Sequence, residues 1–193
     1  MQYRSQANYR ITDNANLFDR DLAYSLRLWA FYKLPKNWTI NAAPIAYFSN
    51  TDILDEFAHL AYYQEIRTMW GMSKGFTFSK ISNKNRLMYE ARFIQWDKPS
   101  AVVQHRYRLQ NAFTLPLVKL NQSSKVNLFI MNEFFLKTQK AKTGFDQNRM
   151  YAAVEAQYKR LGLVSGYQHV FQQGNNHVFQ KRIWLTTLNI QLP

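Results

Sequence analysis

In the segment 86–93 every second side chain is apolar or aromatic, and this alternation constrains the fold more than any other feature of the chain. The apolar and aromatic members are Leu87, Tyr89, Ala91 and Phe93, and the charged members of the opposite parity are Arg86, Glu90 and Arg92. Successive side chains of a β-strand point to opposite faces of its sheet. A strand formed by this segment therefore has one apolar face and one charged face.

Similar alternation recurs in about ten segments along the chain, each roughly 10 to 14 residues long, and a tilted strand needs roughly 9–11 residues to cross a bilayer. Residues 21–34 form one such segment. Tight turns are predicted at 35–37 and 82–85, and loops at 49–60 and 137–145. Connections after even-numbered segments are mostly short and the others are generally longer. This asymmetry is typical of outer-membrane barrels with short periplasmic turns and both termini in the periplasm.

The pattern predicts an all-β protein, a transmembrane antiparallel up-and-down β-barrel of about ten strands. With 193 residues and no linker-like stretch, one domain over residues 1–193 is expected. No run of eighteen apolar residues occurs, which excludes a transmembrane helix but not a barrel. No signal peptide follows Met1, so if the protein is exported to the bacterial outer membrane, we expect a mature-length chain from which it has been removed.

The net charge of +13, from 25 Lys and Arg against 12 Asp and Glu, indicates an anionic partner. The basic residues are spread along the alternating segments, and no nucleic-acid-binding motif is present, so we expect no nucleic acid partner. Outer-membrane lipid and lipopolysaccharide offer an anionic surface that matches this charge. Other outer-membrane proteins are further candidate partners.

A soluble lipocalin-like barrel is the competing all-β interpretation, because the same alternation would then place the apolar face inside. Two features favour the interpretation in which the apolar face contacts lipid. Ten strands exceed the usual eight of that class, and Trp38, Trp70 and Trp184 lie near segment ends or on the apolar parity, as interfacial girdles require. Asn111 and Asn132 interrupt the apolar parity, which a girdle position, a bulge or a wrong register would explain.

Nine charged residues fall on the inferred inner parity and are the main candidate site: Glu65, Arg67, Glu90, Arg92, Arg106, Arg108, Glu133, Arg149 and Glu155. In a narrow barrel they would form a ladder of ion pairs and hydrogen bonds that replaces an apolar core. The alternative is a site that binds or conducts small anions, since arginine outnumbers glutamate. A barrel of ten strands leaves little open space inside once these side chains are in place.

The sequence features that would indicate an enzyme are weak, and we expect no enzymatic activity. The four histidines are His59, His105, His169 and His177. Ser165 and His169 share a strand parity, but no oxyanion hole or orienting acid accompanies them. Cysteine is absent, and no metal-ligand spacing or phosphate loop occurs, so no cofactor is expected.

The predicted loop at 49–60 combines apolar and acidic residues, unlike the basic remainder of the chain. The residues proposed for a partner-binding loop are Asp52, Ile53, Leu54, Asp55, Glu56 and Phe57. Exposed apolar groups of this kind often mark contact sites. The alternative is a lid that packs over the barrel mouth.

Three pieces of sequence resemble an uncharacterised bacterial family, the domain of unknown function 2490. They are Asn132-Glu133-Phe134-Phe135, the stretch Phe145 to Tyr151, and Gly166-Tyr167-Gln168. The elements Arg86, Glu90, Arg92 and Arg106-Tyr107-Arg108 are also similar to that family, so the resemblance covers most of the chain after Glu65. Members look like outer-membrane β-barrels common in Bacteroidetes. The resemblance implies a fold and a location, but no activity.

Three functions therefore remain open at the level of sequence. The preferred one is a structural or partner-binding subunit of an outer-membrane assembly, because a filled lumen leaves the outer wall and the loops as working surfaces. The second is a small-solute or anion channel, and the third is a lipid-modifying enzyme of the outer membrane.

Overall fold

A computed structural model of the chain describes residues 2–7, 21–53, 60–96, 101–121, 124–140, 142–173 and 178–190. These residues form eleven β-strands and no helix. The strands are β1 (Gln2–Ala7), β2 (Asp21–Arg27), β3 (Ala30–Leu34), β4 (Trp38–Ile53), β5 (Leu60–Phe78), β6 (Ile81–Trp96), β7 (Ala101–Asn121), β8 (Ser124–Gln139), β9 (Lys142–Tyr158), β10 (Leu161–Gln173) and β11 (Val178–Ile190). Across these ranges, no helical segment has the length and apolarity to span a bilayer.

All strands belong to one antiparallel sheet in which neighbours along the chain are neighbours in the sheet. The order is β1-β2-β4-β5-β6-β7-β8-β9-β10-β11, with β3 paired to β4. This confirms the predicted all-β, up-and-down architecture of about ten strands. β1 and β11 are the ends of this order, and within the described ranges no ladder joins them. The described sheet is therefore curled into a half-barrel.

The eleven strands correspond to ten predicted segments because the segment 21–34 is interrupted at Leu28 and Trp29. Both of its halves, β2 and β3, pair with β4. Opposite the interruption, the pairing of β4 with β5 shifts between Ala43 and Ala46, around Pro44. Proline has no backbone N–H to donate to a ladder, so its neighbouring strand loses regular pairing at this point.

Short turns join the strands at one end of the sheet, where β11 also ends. β3 and β4 are separated by residues 35–37, β5 and β6 by 79–80, and β9 and β10 by 159–160. The turn predicted at 82–85 is wrong, because the chain reverses at Ser79 and Lys80 and residues 82–85 lie in β6. The polar residues there belong to the strand, and Ser79 provides the turn with a positive φ of 52°.

The two predicted loops are also shorter than expected. Residues 49–53 belong to β4, where Ile53 pairs with Leu60, so only 54–59 lie between β4 and β5, outside the described residues. Residues 137–139 and 142–145 extend β8 and β9, where the hydroxyls of Thr138 and Thr143 are 2.8 Å apart. In both places cross-strand pairing overrides the low strand propensity of Asp, Asn and Gly.

The sheet curls so strongly that the centre of its concave face is closed to solvent by its own side chains. Glu90 and Phe135 are both 0 % exposed, although only one layer of sheet surrounds them. Two glycines permit close approach of neighbouring strands. A Cβ on Gly71 would lie 2.0 Å from the carbonyl oxygen of Leu87, and one on Gly166 would lie 2.2 Å from that of Ala152. Glycine in a strand often marks such a bend.

The two faces of the sheet have opposite chemistry, as the alternation predicts. The convex face carries exposed apolar side chains along its length, among them Ile66, Trp70, Leu87, Phe93, Leu109, Val154, Leu163, Trp184 and Leu188. The concave face carries the buried charged and amide side chains, with a small apolar cluster of Ala43, Ala46, Phe48, Met69 and Met88 at one side.

Candidate functional site

The concave face brings together eight of the nine predicted inner charges. Glu65, on β5, is the first centre. Its Oε1 accepts from Arg67 Nε at 2.5 Å and from Arg92 Nε at 2.5 Å. Its Oε2 accepts from Arg67 Nη2 at 2.7 Å and from Arg92 Nη2 at 3.0 Å. Both carboxylate oxygens of this buried group are therefore fully occupied by charge-assisted hydrogen bonds.

Glu90, on β6, is the second centre and binds two arginines of β7. Arg106 donates from Nε and Nη2 to Glu90 Oε2 at 2.9 and 2.5 Å, and Arg108 donates from Nη2 to Oε1. Arg67 Nη1 lies 3.9 Å from the same carboxylate and links the first centre to the second.

Two further carboxylates extend these contacts towards both ends of the sheet. Glu133, on β8, lies 3.5 Å from Arg108 Nη1 and 4.0 Å from Arg86 Nη2. Asp146, on β9, lies 3.5 Å from Arg106 Nη1 and 3.4 Å from Lys137 Nζ. We call the connected set the arginine–carboxylate lattice; it consists of Glu65, Arg67, Arg86, Glu90, Arg92, Arg106, Arg108, Glu133 and Asp146.

Aromatic rings pack beneath the guanidinium groups of this lattice. Phe135 lies within 4.8, 5.2 and 4.9 Å of the guanidinium carbons of Arg106, Arg108 and Arg149, measured to the ring centroid. Phe48 lies 3.7 Å from that of Arg67. Cation–π contacts of this kind add to the ion pairs, especially where water is excluded.

Some members of the site were missed at the level of sequence. Arg86 was assigned to the charged face but not to the site, Asp146 adjoined a predicted loop, and Phe135 was not singled out. Phe135 shares the parity of Glu133 on β8, so strict use of the alternation would have found it. Gln147, with its amide oriented to satisfy its neighbours, accepts from Arg149 Nη2 at 2.8 Å.

Other predicted residues lie apart from the lattice. Glu155 accepts a hydrogen bond from Asn127 Nδ2 at 2.9 Å. Of the predicted partner loop, Asp52 and Ile53 end β4, and residues 54–57 lie outside the described residues. The partner role of that loop stays a prediction.

The asparagines that interrupt the apolar parity form a polar stripe on the convex face. Asn111 Nδ2 donates to Asn85 Oδ1, and Asn111 pairs with Asn132 in the sheet register. The side-chain amides of Asn132 and Asn148 bond to each other at 3.1 and 3.3 Å. We call these four residues the asparagine stripe. A cavity of about 320 Å³ adjoins it, with Ala152, Tyr167 and His169 in its lining.

The side chains of Ser165 and His169, which were considered for catalysis, are not in contact. Ser165 Oγ lies 2.9 Å from Thr186 Oγ1 and accepts from Trp184 Nε1 at 3.1 Å. His169 is four residues along the same strand, about 13 Å away at 3.3 Å per residue, and stacks on Phe171 at 4.3 Å. His105 Nδ1 lies 2.6 Å from Tyr89 Oη, and His59 and His177 lie outside the described residues. Among the described side chains, no group of three His, Asp or Glu could hold a metal ion.

Comparison with known proteins gives one match. Residues 1–181 match the model of the family described as "Protein of unknown function (DUF2490)". No curated protein and no solved structure matches the chain. Because the match covers most of the 193 residues, the chain belongs to the DUF2490 family.

Proposed function

We propose that the chain is a β-barrel subunit of a bacterial outer membrane that provides a structural or partner-binding surface. The observation that carries the proposal is the inverted polarity of the sheet, with charges inside and apolar side chains outside. Leu87 is 59 % exposed and Trp184 is 70 % exposed, whereas Glu90 is 0 % exposed. A soluble lipocalin-like barrel needs the opposite arrangement, because its apolar face must be removed from water.

The strand lengths and the connections also suit a membrane. β4 to β11 have 13 to 21 residues each, more than the roughly 9–11 required to cross a bilayer at a tilt. The short turns at 35–37, 79–80 and 159–160 lie at one end of the sheet, and in outer-membrane barrels the end with the short turns is the periplasmic end. In this orientation, the paired ends of β4 and β5 at Ile53 and Leu60 face the outside of the cell.

The arginine–carboxylate lattice supports a structural role over conduction. It occupies the concave face from β5 to β9, and its central carboxylates are closed to solvent. An open pore needs a continuous water-filled path lined by its selecting charges. With the interior filled, the convex wall and the loops remain as surfaces that can contact other molecules.

The asparagine stripe supports a protein contact on that wall. A polar side chain facing lipid is costly unless its hydrogen bonds are satisfied. The four amides satisfy one another in part and retain donors and acceptors for a neighbouring chain. We propose that the stripe is the contact surface for another outer-membrane protein.

Membrane fractionation tests the location. The full-length chain, expressed with an export signal, should sediment with outer membranes and require detergent for extraction. Recovery as a soluble monomer without detergent would contradict the proposal, because the exposed apolar wall could not then be facing lipid.

Affinity purification from native membranes tests the partner surface. The double variant Asn132→Leu, Asn148→Leu should lose co-purifying outer-membrane proteins. Gln95→Leu, which makes the same kind of change at an exposed convex position, should retain them.

A separate variant, in which residues 54–57 are deleted, tests the predicted partner-binding loop. If neither the asparagine variant nor the loop deletion loses a protein that co-purifies with the wild type, the partner role is wrong. Steady conductance in planar bilayers would favour the channel.

A further inference from the structure

A cavity of about 740 Å³ lies on the concave face, at the end of the sheet that carries the short turns. Residues of the first turn and of strands β3 to β8 line it. Its volume falls within the range of roughly 300–1,000 Å³ that is typical of small-molecule sites. We call it the turn-end basin.

The turn-end basin carries positive charge, and its lining contains no carboxylate. Its lining includes Lys33, Lys84 and Arg86, and no acidic residue. Lys33 and Lys84 are exposed, and neither makes an ion pair with any described residue. Three like charges around one concave space repel each other, and an anion bound between them would relieve that repulsion.

Arg86 is held in place at the inner wall of the basin and keeps one donor group. Its Nε donates to Gln110 Oε1 at 2.7 Å, and its Nη2 contacts the same oxygen and lies 4.0 Å from Glu133. Its Nη1 makes no hydrogen bond to any described residue. A guanidinium fixed in this way can bind an oxyanion without a large loss of side-chain entropy.

Hydroxyl groups supply further donors around the same space. Thr39, Ser73 and Thr114 are part of the lining. Ser73 Oγ accepts from Asn41 Nδ2 at 3.2 Å, which leaves its own hydroxyl proton available for another acceptor. Beyond Arg86, the link through Glu133 and Arg108 closes the interior. The basin is therefore a dead-ended pocket.

We propose that the turn-end basin binds a small oxyanion that carries two or more negative charges, on phosphate or carboxylate groups. Lys33 and Lys84 provide two unpaired charges for such a ligand, Arg86 adds a free donor group, and a single monovalent ion would leave one of the two lysine charges uncompensated. This goes beyond the proposed function, and it does not depend on a protein partner. The oxyanion is either a free solute or the headgroup of an anionic lipid.

Calorimetric titration of the detergent-solubilised full-length chain tests the site. The probes are sodium pyrophosphate, sodium citrate and, for a monovalent anion, sodium chloride, at constant ionic strength. The wild type should bind at least one of the two multivalent anions, and the variant Lys33→Gln, Lys84→Gln should bind it about tenfold more weakly. Lys80→Gln is the matched control, because Lys80 lies in a turn at the same end but outside the basin lining.

The source of the ligand is tested with nanodiscs of phosphatidylcholine with and without cardiolipin, whose headgroup carries two phosphodiesters. Enrichment of cardiolipin around the wild type, but not around Lys33→Gln, Lys84→Gln, would identify a lipid headgroup, even if the free anions do not bind. The proposal is overturned if neither the free anions nor the anionic lipid distinguish these two proteins. It is equally overturned if Lys80→Gln weakens binding as much as the double variant, since the effect would then be one of overall charge.

Discussion

Glu90 is the residue that joins the two halves of the arginine–carboxylate lattice. It binds Arg106 and Arg108 on the neighbouring strand and lies 3.9 Å from Arg67 on the other side. Because it is closed to solvent, water cannot replace it as a partner for these cations. Its contribution therefore depends on the charge it neutralises.

Replacing Glu90 with glutamine should lower the free energy of unfolding by about 3 kcal/mol, at the low end of the range for breaking a buried ion pair. The loss is moderated because Arg67 retains its ion pair with Glu65, and Arg108 retains its ion pair with Glu133. The measurement is the urea unfolding midpoint of the folded chain in detergent. Glu155→Gln is the control, since Glu155 bonds to an amide; equal midpoints for the two variants would show that the lattice does not stabilise the fold.

Gly71 and Gly166 make a second prediction at the scale of single residues. A methyl group at either position would overlap backbone atoms of the adjacent strand, at 2.0 and 2.2 Å. Gly71→Ala and Gly166→Ala should each destabilise the protein by about 1–3 kcal/mol, the usual cost of overpacking. Gly144→Ala should have little effect, because nothing lies within 4 Å of its added Cβ. Thermal unfolding of the three variants, followed by circular dichroism, checks this, and a wild-type midpoint for Gly71→Ala would contradict the close approach of β5 and β6 at this glycine.

Among the elements, the tight turns of the hairpins contain residues that are not optimal for their backbone. Ser79, Lys140 and Lys159 have φ of 52°, 49° and 51°, a region that glycine occupies without strain. Two-residue hairpin turns usually favour Asn-Gly for this reason. The absence of that signal explains why the turn between β5 and β6 was predicted three residues too late.

Ser79→Gly should therefore raise the unfolding free energy, by about 0.5 kcal/mol once the entropy of glycine in the unfolded chain is included. Ser82→Gly is the matched control and should lower it by a similar amount, because Ser82 lies in β6, outside the residues with positive φ. Chemical denaturation of both variants measures the difference. The same sign for both would mean that the turn is not strained.

The sequence allowed the strands and their faces to be predicted, and the physical reason is the period of two. Parity alone assigns Glu65, Glu90 and Glu133 to one face, and the structure places them there. Parity does not reveal which strand residues are adjacent across the sheet, so the separate position of Glu155 was not predicted. It also does not reveal curvature, which depends on cross-strand contacts such as those of Gly71.

At the scale of the whole molecule, the concave face of the sheet is filled by ion-paired side chains. The lattice spans from Arg92 to Asp146 through shared carboxylates, and aromatic rings such as Phe135 fill the space between the guanidinium groups. A concave face packed in this way replaces an apolar core with ion pairs that strengthen one another. The protein should therefore resist both water flow and stepwise loss of single strands.

This filling leads to the last prediction, which concerns conduction. In planar bilayers the wild-type chain should show no steady open-pore current, because the lattice leaves no continuous water path. The double variant Glu90→Ser, Arg106→Ser removes the most buried pair of the lattice, a carboxylate and the guanidinium that lies 2.5 Å from it. It should introduce measurable conductance at the same protein density. Asn127→Ser, Glu155→Ser removes a concave-face pair outside the lattice and should remain silent. A large, steady current through the wild type would contradict the filled interior and would favour an anion channel as the function of this protein.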